Sequence, residues 1–513
     1  MPNGTDIDYR QAMTIRTKTL LLENEAATVQ LGQDLALAVA VGDCIALSGD
    51  LGAGKSTLAR ALIRAIADDE ELEAPSPTFT LVQAYELRLS VAHMDLYRIS
   101  HPQEIDELGL DDALATGVAL IEWPERAEGE LPDETILIAF GESGAGRSVT
   151  ISGPPDPMAR IARTLQIRAF LDTYRPGAQR RYFQGDASTR RFELIRCDNG
   201  VELFLMDSPQ KPAGPVVRDG KPYTAIAHTA LTITPFVAIA EFLRASGFRV
   251  PEIIARSLDD GILLVSDLGR TGMLDAQGRP IEERLSVAID CLVKLHRTRI
   301  PPAIPVPGAA EYTIPPYDAD AMMIEVELYL DWYLPHFAGE TVTATERERY
   351  IAAWRAVIDK LQGAEQSLVL RDFHSPNLLW NASGEGTDRI GIVDFQDALA
   401  GPAAYDVASL VHDARVTVDT GLAGRLAARY LDARNNDESF DREDFLEALA
   451  ITQAQRATKI LGLFVRLKER DGKPGYIAHL PRIRAYLAEA LRHPSLNSLH
   501  EHYYRAGIGR DES

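Results

Sequence analysis

The stretch Gly49-Asp50-Leu51-Gly52-Ala53-Gly54-Lys55-Ser56 fits the pattern G-x-x-x-x-G-K-[ST]. A short apolar run at 44–47 precedes it, and a helical pattern runs from its end to about residue 67, so the stretch joins a predicted buried strand to a predicted helix. Its glycines let the backbone turn so that several N–H groups can point at phosphate oxygens, and the helix N-terminus adds a partial positive charge. The pattern therefore predicts a phosphate-binding loop in an α/β domain.

The residue types in this loop indicate which ligands it takes. Lys55 can neutralise the β- and γ-phosphates of ATP, and the hydroxyl group of Ser56 can ligate Mg²⁺. We therefore expect ATP and Mg²⁺ as cofactors. The residues expected to hold the nucleotide are Gly49, Asp50, Gly52, Gly54, Lys55, Ser56 and Thr57.

Acidic residues follow the loop at the ends of predicted strands. Short apolar runs predict the strands of one compact sheet at 80–85, 91–96, 118–121, 135–140 and 149–151. Asp95 and Glu122 come at or just after the ends of two runs, where a carboxylate can reach Mg²⁺ or orient the attacking water. Both are candidate catalytic residues, and Asp95, like Ser56, is also a candidate metal ligand. Thr78 and Thr80 are candidates for a loop that senses the γ-phosphate.

Further motifs occur in order after the loop. They read SPTFTL at 76–81, HMDLYR at 93–98 and LIEWPE at 120–125. Together with the loop, residues 14–152 resemble the TsaE family, small ATPases that support threonylcarbamoyladenosine formation on tRNA. The resemblance implies ATP hydrolysis coupled to turnover of the TsaB–TsaD complex, which would be the partner. An alternative is a binding module that uses ATP as an assembly switch.

A proline-rich segment, Gly-Pro-Pro-Asp-Pro at 153–157, interrupts the predicted sheet. Proline cannot continue a strand or the interior of a helix, so we place a domain boundary here. The expected organisation is a P-loop ATPase domain at 14–152, a linker at 153–159 and a second domain at 160–505. A new helical pattern begins near Met158, and beyond Pro235 the sequence is mainly helical.

The second domain carries a kinase-like motif at 370–379, LRDFHSPNLL. In kinase-type phosphoryl transfer, an Asp accepts the proton of the substrate hydroxyl, an Asn five positions later holds Mg²⁺, and an Asp on the next hairpin holds Mg²⁺ too. Asp372, Asn377 and Asp394 have this order and spacing. We therefore expect Asp372 to be catalytic, and Asn377 and Asp394 to be metal ligands.

Several other motifs surround this loop. They read GDAS at 185–188, LMDSP at 205–209, LVSDLG at 264–269 and GPAAYD at 401–406. Residues 160–505 thus resemble the aminoglycoside phosphotransferase family, most closely its AmgK branch of cell-wall sugar kinases. The resemblance implies a bilobal α+β protein-kinase-like domain that phosphorylates N-acetylmuramate and N-acetylglucosamine at the anomeric hydroxyl during peptidoglycan recycling. Alternative substrates are an aminoglycoside or a small amino alcohol.

One departure from the kinase pattern concerns the strand lysine that pairs with the nucleotide phosphates. The run 203–206 has no lysine, so either Lys211 or an arginine such as Arg191 substitutes, ATP is held by Mg²⁺ and backbone, or the domain is an inactive pseudokinase.

Other residues have expected roles in this domain. Gly185 and Ser188 are expected to cover the phosphates, and Asp267 to meet the nucleotide in a linker between lobes at 265–268. Asp406 is expected to fix the catalytic loop. The candidates for binding the sugar are Asp318, Glu325 and Trp332.

Composition limits the classes of function. The 513 residues carry a formal net charge of −22, and the sequence has no long run of basic residues. We therefore expect no direct contact with nucleic acid. The three cysteines, Cys44, Cys197 and Cys291, lie far apart and give no metal-ligand spacing. No signal peptide or membrane-spanning run is evident, so we expect a cytoplasmic protein without membrane contact.

Overall fold

A seven-stranded mixed sheet organises the first part of the computed structural model, which describes residues 16–127, 129–144, 146–184 and 190–509. The chain divides into two compact units, Met1–Met206 and Asp207–Ser513. The strands of this sheet are β1 (Arg16–Leu22), β2 (Cys44–Ser48), β3 (Val82–Tyr85), β4 (Ser90–Asp95), β5 (Gly117–Glu122), β6 (Ile136–Ser143) and β7 (Gly146–Gly153). Their order is β1-β7-β6-β2-β5-β4-β3.

The centre of the sheet is parallel and its edges are antiparallel. Strand β2 pairs in parallel with both β5 and β6, and β4 pairs in parallel with β5. The carboxyl ends of these strands therefore meet at one edge, where ligands of open α/β sheets bind. The helices of this unit are α1 (Glu25–Leu35), α2 (Lys55–Ala67), α3 (Glu104–Glu107), α4 (Leu110–Thr116) and α5 (Pro155–Tyr174). This arrangement confirms the predicted α/β domain.

Apolar side chains of α1 and α2 cover one face of the sheet. Leu58 and Leu62 of α2 are fully buried in a cluster with Ile45 and Leu47 of β2 and Val118 of β5. Leucines four positions apart lie on one face of a helix, so this stripe fixes how α2 lies on the sheet. The packing places the first turn of α2 at the end of β2.

The proline-rich segment begins a helix. Pro155 is the first residue of α5, where the missing N–H and the fixed φ of proline suit helix initiation. Residues 153–159, expected to form a linker, thus complete β7 and start α5, and the domain boundary placed there stays a prediction. After α5 come the strands β8 (Gln179–Phe183), β9 (Arg191–Arg196) and β10 (Glu202–Asp207), of which β8 and β9 pair antiparallel.

A buried ionic network ties α1, α5 and β8 together. Asp34 of α1 accepts hydrogen bonds from Arg168 Nε of α5, at 2.8 Å, and from Arg180 Nη1 of β8, at 3.0 Å. Arg180 also forms a bidentate pair with Glu193 of β9, with both N···O distances 2.7 Å. The side chain of Arg180 has no solvent exposure. Because buried charges are costly without partners, this network holds the three elements in one arrangement.

The second unit is mainly helical, as predicted. Its strands are β11 (Val216–Arg218), β12 (Lys221–Pro222), β13 (Ile253–Ser257), β14 (Ile262–Ser266), β15 (Gln366–Val369), β16 (Leu378–Trp380), β17 (Ile390–Ile392) and β18 (Leu399–Pro402). Its helices are α6 (Tyr223–Ile226), α7 (Thr234–Ala245), α8 (Glu282–His296), α9 (Ala319–Val326), α10 (Ala344–Ile358), α11 (Ala404–Val411), α12 (Thr420–Arg434), α13 (Arg442–Glu469), α14 (Leu480–Ala490) and α15 (His500–Tyr504), with a π-helix at Tyr329–Ala338.

Short hairpins and one long helix frame the second motif. Strands β16 and β17 pair antiparallel, as do β15 and β18, so the segment between β15 and β16 is held at both ends. The long helix α13 packs against α11 and α14 and has a largely buried face. Within the described residues, no helix combines the length and apolarity needed to cross a membrane.

Candidate active sites

The phosphate-binding loop has the geometry that its glycines predict. Gly49, Gly52 and Gly54 have φ angles of 137°, 79° and 114°, which side-chain-bearing residues rarely adopt. A methyl group added to Gly49 would also lie 2.9 Å from the Cβ atom of Phe140. Glycine is therefore required there both by the backbone angle and by the neighbouring strand.

Lys55 lies inside the loop. Its Nζ atom donates to the backbone carbonyls of Gly49, at 2.6 Å, and Asp50, at 2.9 Å, and stands 3.8 Å from the ring centroid of Trp123. Burial lowers the pKa of Lys55, and Glu122 is the strongest of several acids that oppose this shift. The ring of Trp123 thus lies against the lysine.

Ser56 and the strand-end acids converge at the carboxyl edge of the sheet. Ser56 Oγ donates to Glu122 Oε2 at 2.7 Å, and His93 Nε2 lies 3.0 Å from Glu122 Oε1. Asp95 stands opposite Glu122 in the β4–β5 register and accepts hydrogen bonds from Ser76 and Thr78 at 2.7 and 3.0 Å. The hydroxyl and carboxylate oxygens gathered here are the ligands that Mg²⁺ prefers, so the donor set fits this ion.

In the second unit, Asp372 lies in the loop between β15 and β16. Its side chain is 47% exposed, and its Oδ1 atom is 3.8 Å from Arg456 Nη1. Desolvation by itself would raise the pKa of Asp372. Arg456 and other nearby cations outweigh this effect, so the pKa is lowered. The carboxylate is thus accessible and ionised, as a proton acceptor must be.

Asn377 and Asp394 are brought close to this loop. Asn377 Nδ2 donates to the backbone carbonyl of Asp372 at 3.0 Å, and Val393 N donates to the carbonyl of Asn377 at 3.1 Å. Asp394 follows directly, with a φ of 61°, and accepts from Gln396 Nε2 at 3.0 Å. The side-chain oxygens of Asn377 and Asp394 suit Mg²⁺.

Arg371, the residue before Asp372, is clamped from several sides. Asp406 accepts hydrogen bonds from the backbone N–H groups of Leu370 and Arg371 at 2.6 and 3.0 Å, which fixes the loop as expected of it. Burial raises the pKa of Asp406 to about 7. Arg456 Nη1 donates to the carbonyl of Arg371 at 2.7 Å. Sequence reasoning missed Arg456, because it lies on α13 and no local pattern links it to the loop.

Glu325 does not have the role considered for it. Its side chain has no solvent exposure and contacts Arg371, Lys459 Nζ at 2.8 Å and Gln455 Nε2 at 3.0 Å. An acid enclosed in this way cannot bind a sugar, so its place as a sugar candidate was wrong. Asp318 instead caps α9 by accepting from Ala321 N at 2.8 Å while remaining partly exposed.

The remaining predicted residues are spread over the chain. Asp267 accepts from Gly269 N at 2.8 Å and pairs with Arg270, so its carboxylate shapes a turn after β14. Thr57 lies in the first turn of α2, and Arg191 is exposed at the start of β9. Gly185 and Ser188 lie outside the described residues. For each of these, the binding role stays a prediction.

Comparisons with known proteins find two family models in the chain. Residues 22–149 match TsaE, the threonylcarbamoyl adenosine biosynthesis protein, and residues 179–446 match the phosphotransferase enzyme family. An N-acetylmuramate/N-acetylglucosamine kinase of Caulobacter vibrioides is 31% identical over 325 residues, which are 61% of this chain and 88% of that protein.

Relatives of the first part are also found. A tRNA threonylcarbamoyladenosine biosynthesis protein TsaE of Rickettsia bellii is 35% identical over 127 residues, which are 25% of this chain and 88% of that protein. Among solved structures, YdiB of Bacillus subtilis is 25% identical, with a TM-score of 0.26. The match covers 30% of this chain and 98% of the YdiB chain.

Proposed function

Because the chain belongs to the TsaE family through residues 22–149 and to the phosphotransferase enzyme family through residues 179–446, we propose a specific pair of functions for this two-part enzyme. The chain combines ATPase and phosphotransferase activities. The proposed task of the first is to support threonylcarbamoyladenosine formation on tRNA. That of the second is to phosphorylate the anomeric hydroxyl of N-acetylmuramate and N-acetylglucosamine in peptidoglycan recycling. The proposed domains are 14–152 and 160–505.

In the proposed phosphotransfer, Asp372 accepts the proton of the sugar hydroxyl. Its exposed, ionised carboxylate and the hydrogen bond from Asn377 to its backbone support this role. Asn377 and Asp394 would hold Mg²⁺, which offsets the negative charge of the phosphates. Asp406 and Arg456 hold the loop, so that little rearrangement is needed when the substrates bind.

The sugar assignment rests on the similarity of this chain to N-acetylmuramate/N-acetylglucosamine kinases. The chain covers 88% of the length of one of them. The test is an assay of the purified chain with ATP, Mg²⁺ and each of N-acetylmuramate, N-acetylglucosamine and an aminoglycoside. We expect phosphate on the anomeric position of the amino sugars, and a fall in kcat of roughly 100- to 10,000-fold in Asp372→Asn, because the general base is lost.

The controls separate the two activities. Lys55→Ala should leave sugar phosphorylation intact while removing ATP hydrolysis by the first site. Transfer to the aminoglycoside alone would replace the sugar with that substrate. Transfer to none of the three would favour the pseudokinase alternative, in which the absent strand lysine is not compensated.

Exposed apolar residues near the P-loop support a protein partner for the first domain. Leu51, within the loop, is 87% exposed, and Phe79, in the segment that holds Asp95, is 88% exposed with Arg98 5.2 Å from its ring. Large exposed apolar side chains are suited to a partner surface. We propose the TsaB–TsaD complex as this partner.

The same observation favours a second candidate, a binding module that uses ATP as an assembly switch. Measuring ATP hydrolysis by the Asp372→Asn chain with and without TsaB–TsaD distinguishes the two. Hydrolysis that rises on adding the complex supports a coupled ATPase, whereas ATP-dependent binding without added hydrolysis supports the switch.

A further inference from the structure

Arg147, the second residue of β7, carries an unsatisfied donor beside the phosphate-binding loop. Its Nη1 atom is buried and has no hydrogen-bond partner among the residues that the structure describes. A buried cationic donor without a partner is strongly unfavourable, so folded proteins nearly always satisfy such groups. The partner of this donor is therefore expected to come from outside the described residues.

The position of Arg147 indicates what that partner is. A methyl group added to Gly54 would lie 2.8 Å from Arg147 Nη1, so the guanidinium rests against the last glycine of the loop. Gly54 is the N-cap of α2. The N-terminus of a helix favours anions, because its backbone N–H groups and its dipole both present positive charge. An anion bound there would lie close to the guanidinium.

The nearby charged groups leave this donor available. Glu142 lies opposite Arg147 in the β6–β7 register, but it is exposed to solvent and gives the buried Nη1 atom no hydrogen bond. Lys55, the cation that the sequence pattern supplies, already donates to two carbonyls of the loop. Arg147 is thus a second cation at this site with an open donor.

We propose that Arg147 donates a hydrogen bond to a phosphate oxygen of the nucleotide bound by the P-loop. The planar guanidinium presents several N–H donors in a fixed fork and suits phosphate oxygens better than a lysine does. The proposal rests on nucleotide binding by the TsaE-like part, and it adds a phosphate ligand that lies outside the G-x-x-x-x-G-K-[ST] pattern. It also gives Gly54 a second reason to be glycine, since a side chain there would displace the arginine.

The proposal has a signature that a purely structural role lacks. Removing a cation whose Nη1 donor is buried and unsatisfied relieves the free protein of an unfavourable group, while the nucleotide complex loses a contact. Arg147→Gln should therefore leave the melting temperature of the free protein unchanged or raised, and should reduce the further rise that ADP produces. The thermal stability of the two states moves in different directions.

The experiment uses the full chain and calorimetric titration with ADP and Mg²⁺. In Lys55→Ala only the kinase site is expected to bind ADP. The binding of ADP to the P-loop is therefore obtained by subtracting the titration of this variant from that of wild type. We expect Arg147→Gln to weaken ADP at the P-loop site roughly 10- to 100-fold, the effect of one lost charge-assisted hydrogen bond, and Arg147→Lys to recover part of it. Lys18→Gln removes an exposed positive charge from β1 of the same sheet and should leave affinity unchanged.

Two results would overturn the proposal. The first is equal ADP affinity in Arg147→Gln and Lys18→Gln. The second is a lower melting temperature of the free Arg147→Gln protein with an undiminished stabilisation by ADP, which would show that the arginine only supports the hairpin. A different failure, in which wild type and Lys55→Ala bind the same amount of ADP, would refute nucleotide binding by the P-loop itself and the role of Arg147 with it.

Discussion

Glu325 is an acid placed where no water reaches it. Burial by itself would raise the pKa of Glu325, but Lys459 and Arg371 outweigh burial and lower it to about 2. Since Arg371 precedes Asp372, the charge of Glu325 supports the loop that carries the proposed catalytic carboxylate. The residue acts through another residue and has no access to substrate.

This shift predicts how stability depends on pH. A carboxylate with a pKa near 2 in the folded state and 4.5 in the unfolded state stabilises the fold fully above the higher value, and the contribution is lost as the pH falls toward the lower one. Between about pH 5 and about pH 3, wild type should lose about 2 kcal/mol through this group, and Glu325→Gln should not. The measurement is urea unfolding at both pH values.

At neutral pH the same variant should be less stable by about 3–5 kcal/mol, because Arg371 and Lys459 lose their buried counterion. Gln455→Met, which removes a neutral partner of Glu325, serves as the control and should retain the acid dependence of wild type. An unchanged acid dependence in Glu325→Gln would contradict the assignment.

The sequence identifies candidate site residues where their chemistry is local. Lys55 and Ser56 sit side by side in a pattern whose spacing is set by one loop, and Asp372 and Asn377 are members of another. Arg147 and Arg456 could not be found in this way, and Glu325 was named only in a role that the structure contradicts. Each meets its site only after distant elements pack, and an arginine or glutamate in a helix or strand resembles ordinary surface.

Among the elements, α13 owes its packing to one glycine. A methyl group on Gly462 would lie 2.2 Å from the carbonyl carbon of Leu328 and 2.3 Å from its oxygen. These are backbone atoms, which cannot rotate away. The helix therefore approaches its neighbour as closely as a residue without a side chain allows.

Two glycine substitutions test this point with opposite expected signs. Gly462→Ala should lower the free energy of unfolding by about 3 kcal/mol through overpacking. Gly424→Ala, on the exposed side of α12 with nothing within 4 Å of the added methyl, should raise it by about 0.5–1 kcal/mol through helix propensity. Denaturant titrations of the two variants give both values, and a stable Gly462→Ala protein would show that α13 can shift.

Element prediction succeeded where periodicity was strong and failed at the ends of the first sheet. Strand β2 and helix α2 follow from an apolar run and a helical pattern on either side of the loop. Strand β1 was not predicted. It lies at the edge of the sheet and is largely exposed, so it lacks the apolar signal of a buried strand. The prolines at 154–157 indicated a break, but proline is also favourable in the first turn of a helix, and α5 starts there.

At the scale of the whole molecule, the network around Asp34 spans both family matches. Asp34 belongs to the part that matches TsaE, whereas Arg180 and Glu193 belong to the part that matches the phosphotransferase family. Asp34→Asn should lower the free energy of unfolding of the first unit by about 3–5 kcal/mol, because two buried guanidinium groups lose their shared carboxylate.

Asp43→Asn is the matched control for this prediction. Both carboxylate oxygens of Asp43 accept from one nitrogen, Nη2, of Arg160 on α5, but the side chain of Arg160 is 27% exposed. Water can replace the lost contact, so the cost should be about 1 kcal/mol. The midpoint of the first unfolding transition measures both effects. Equal losses of stability in the two variants would contradict the prediction that Asp34 contributes more than Asp43.

The buried carboxylate of Asp34 also bears on how readily evolution could take the two enzymes apart. A recombination that cut the gene near codon 153 would leave Arg168 and Arg180 in a newly exposed surface, without the acid that neutralises them. Reversal of the fusion would thus require compensating substitutions in the kinase gene at the same time as the cut. Selection on the phosphotransferase activity alone would then preserve the helix that carries Asp34, even in a lineage that no longer needed the ATPase activity of this chain.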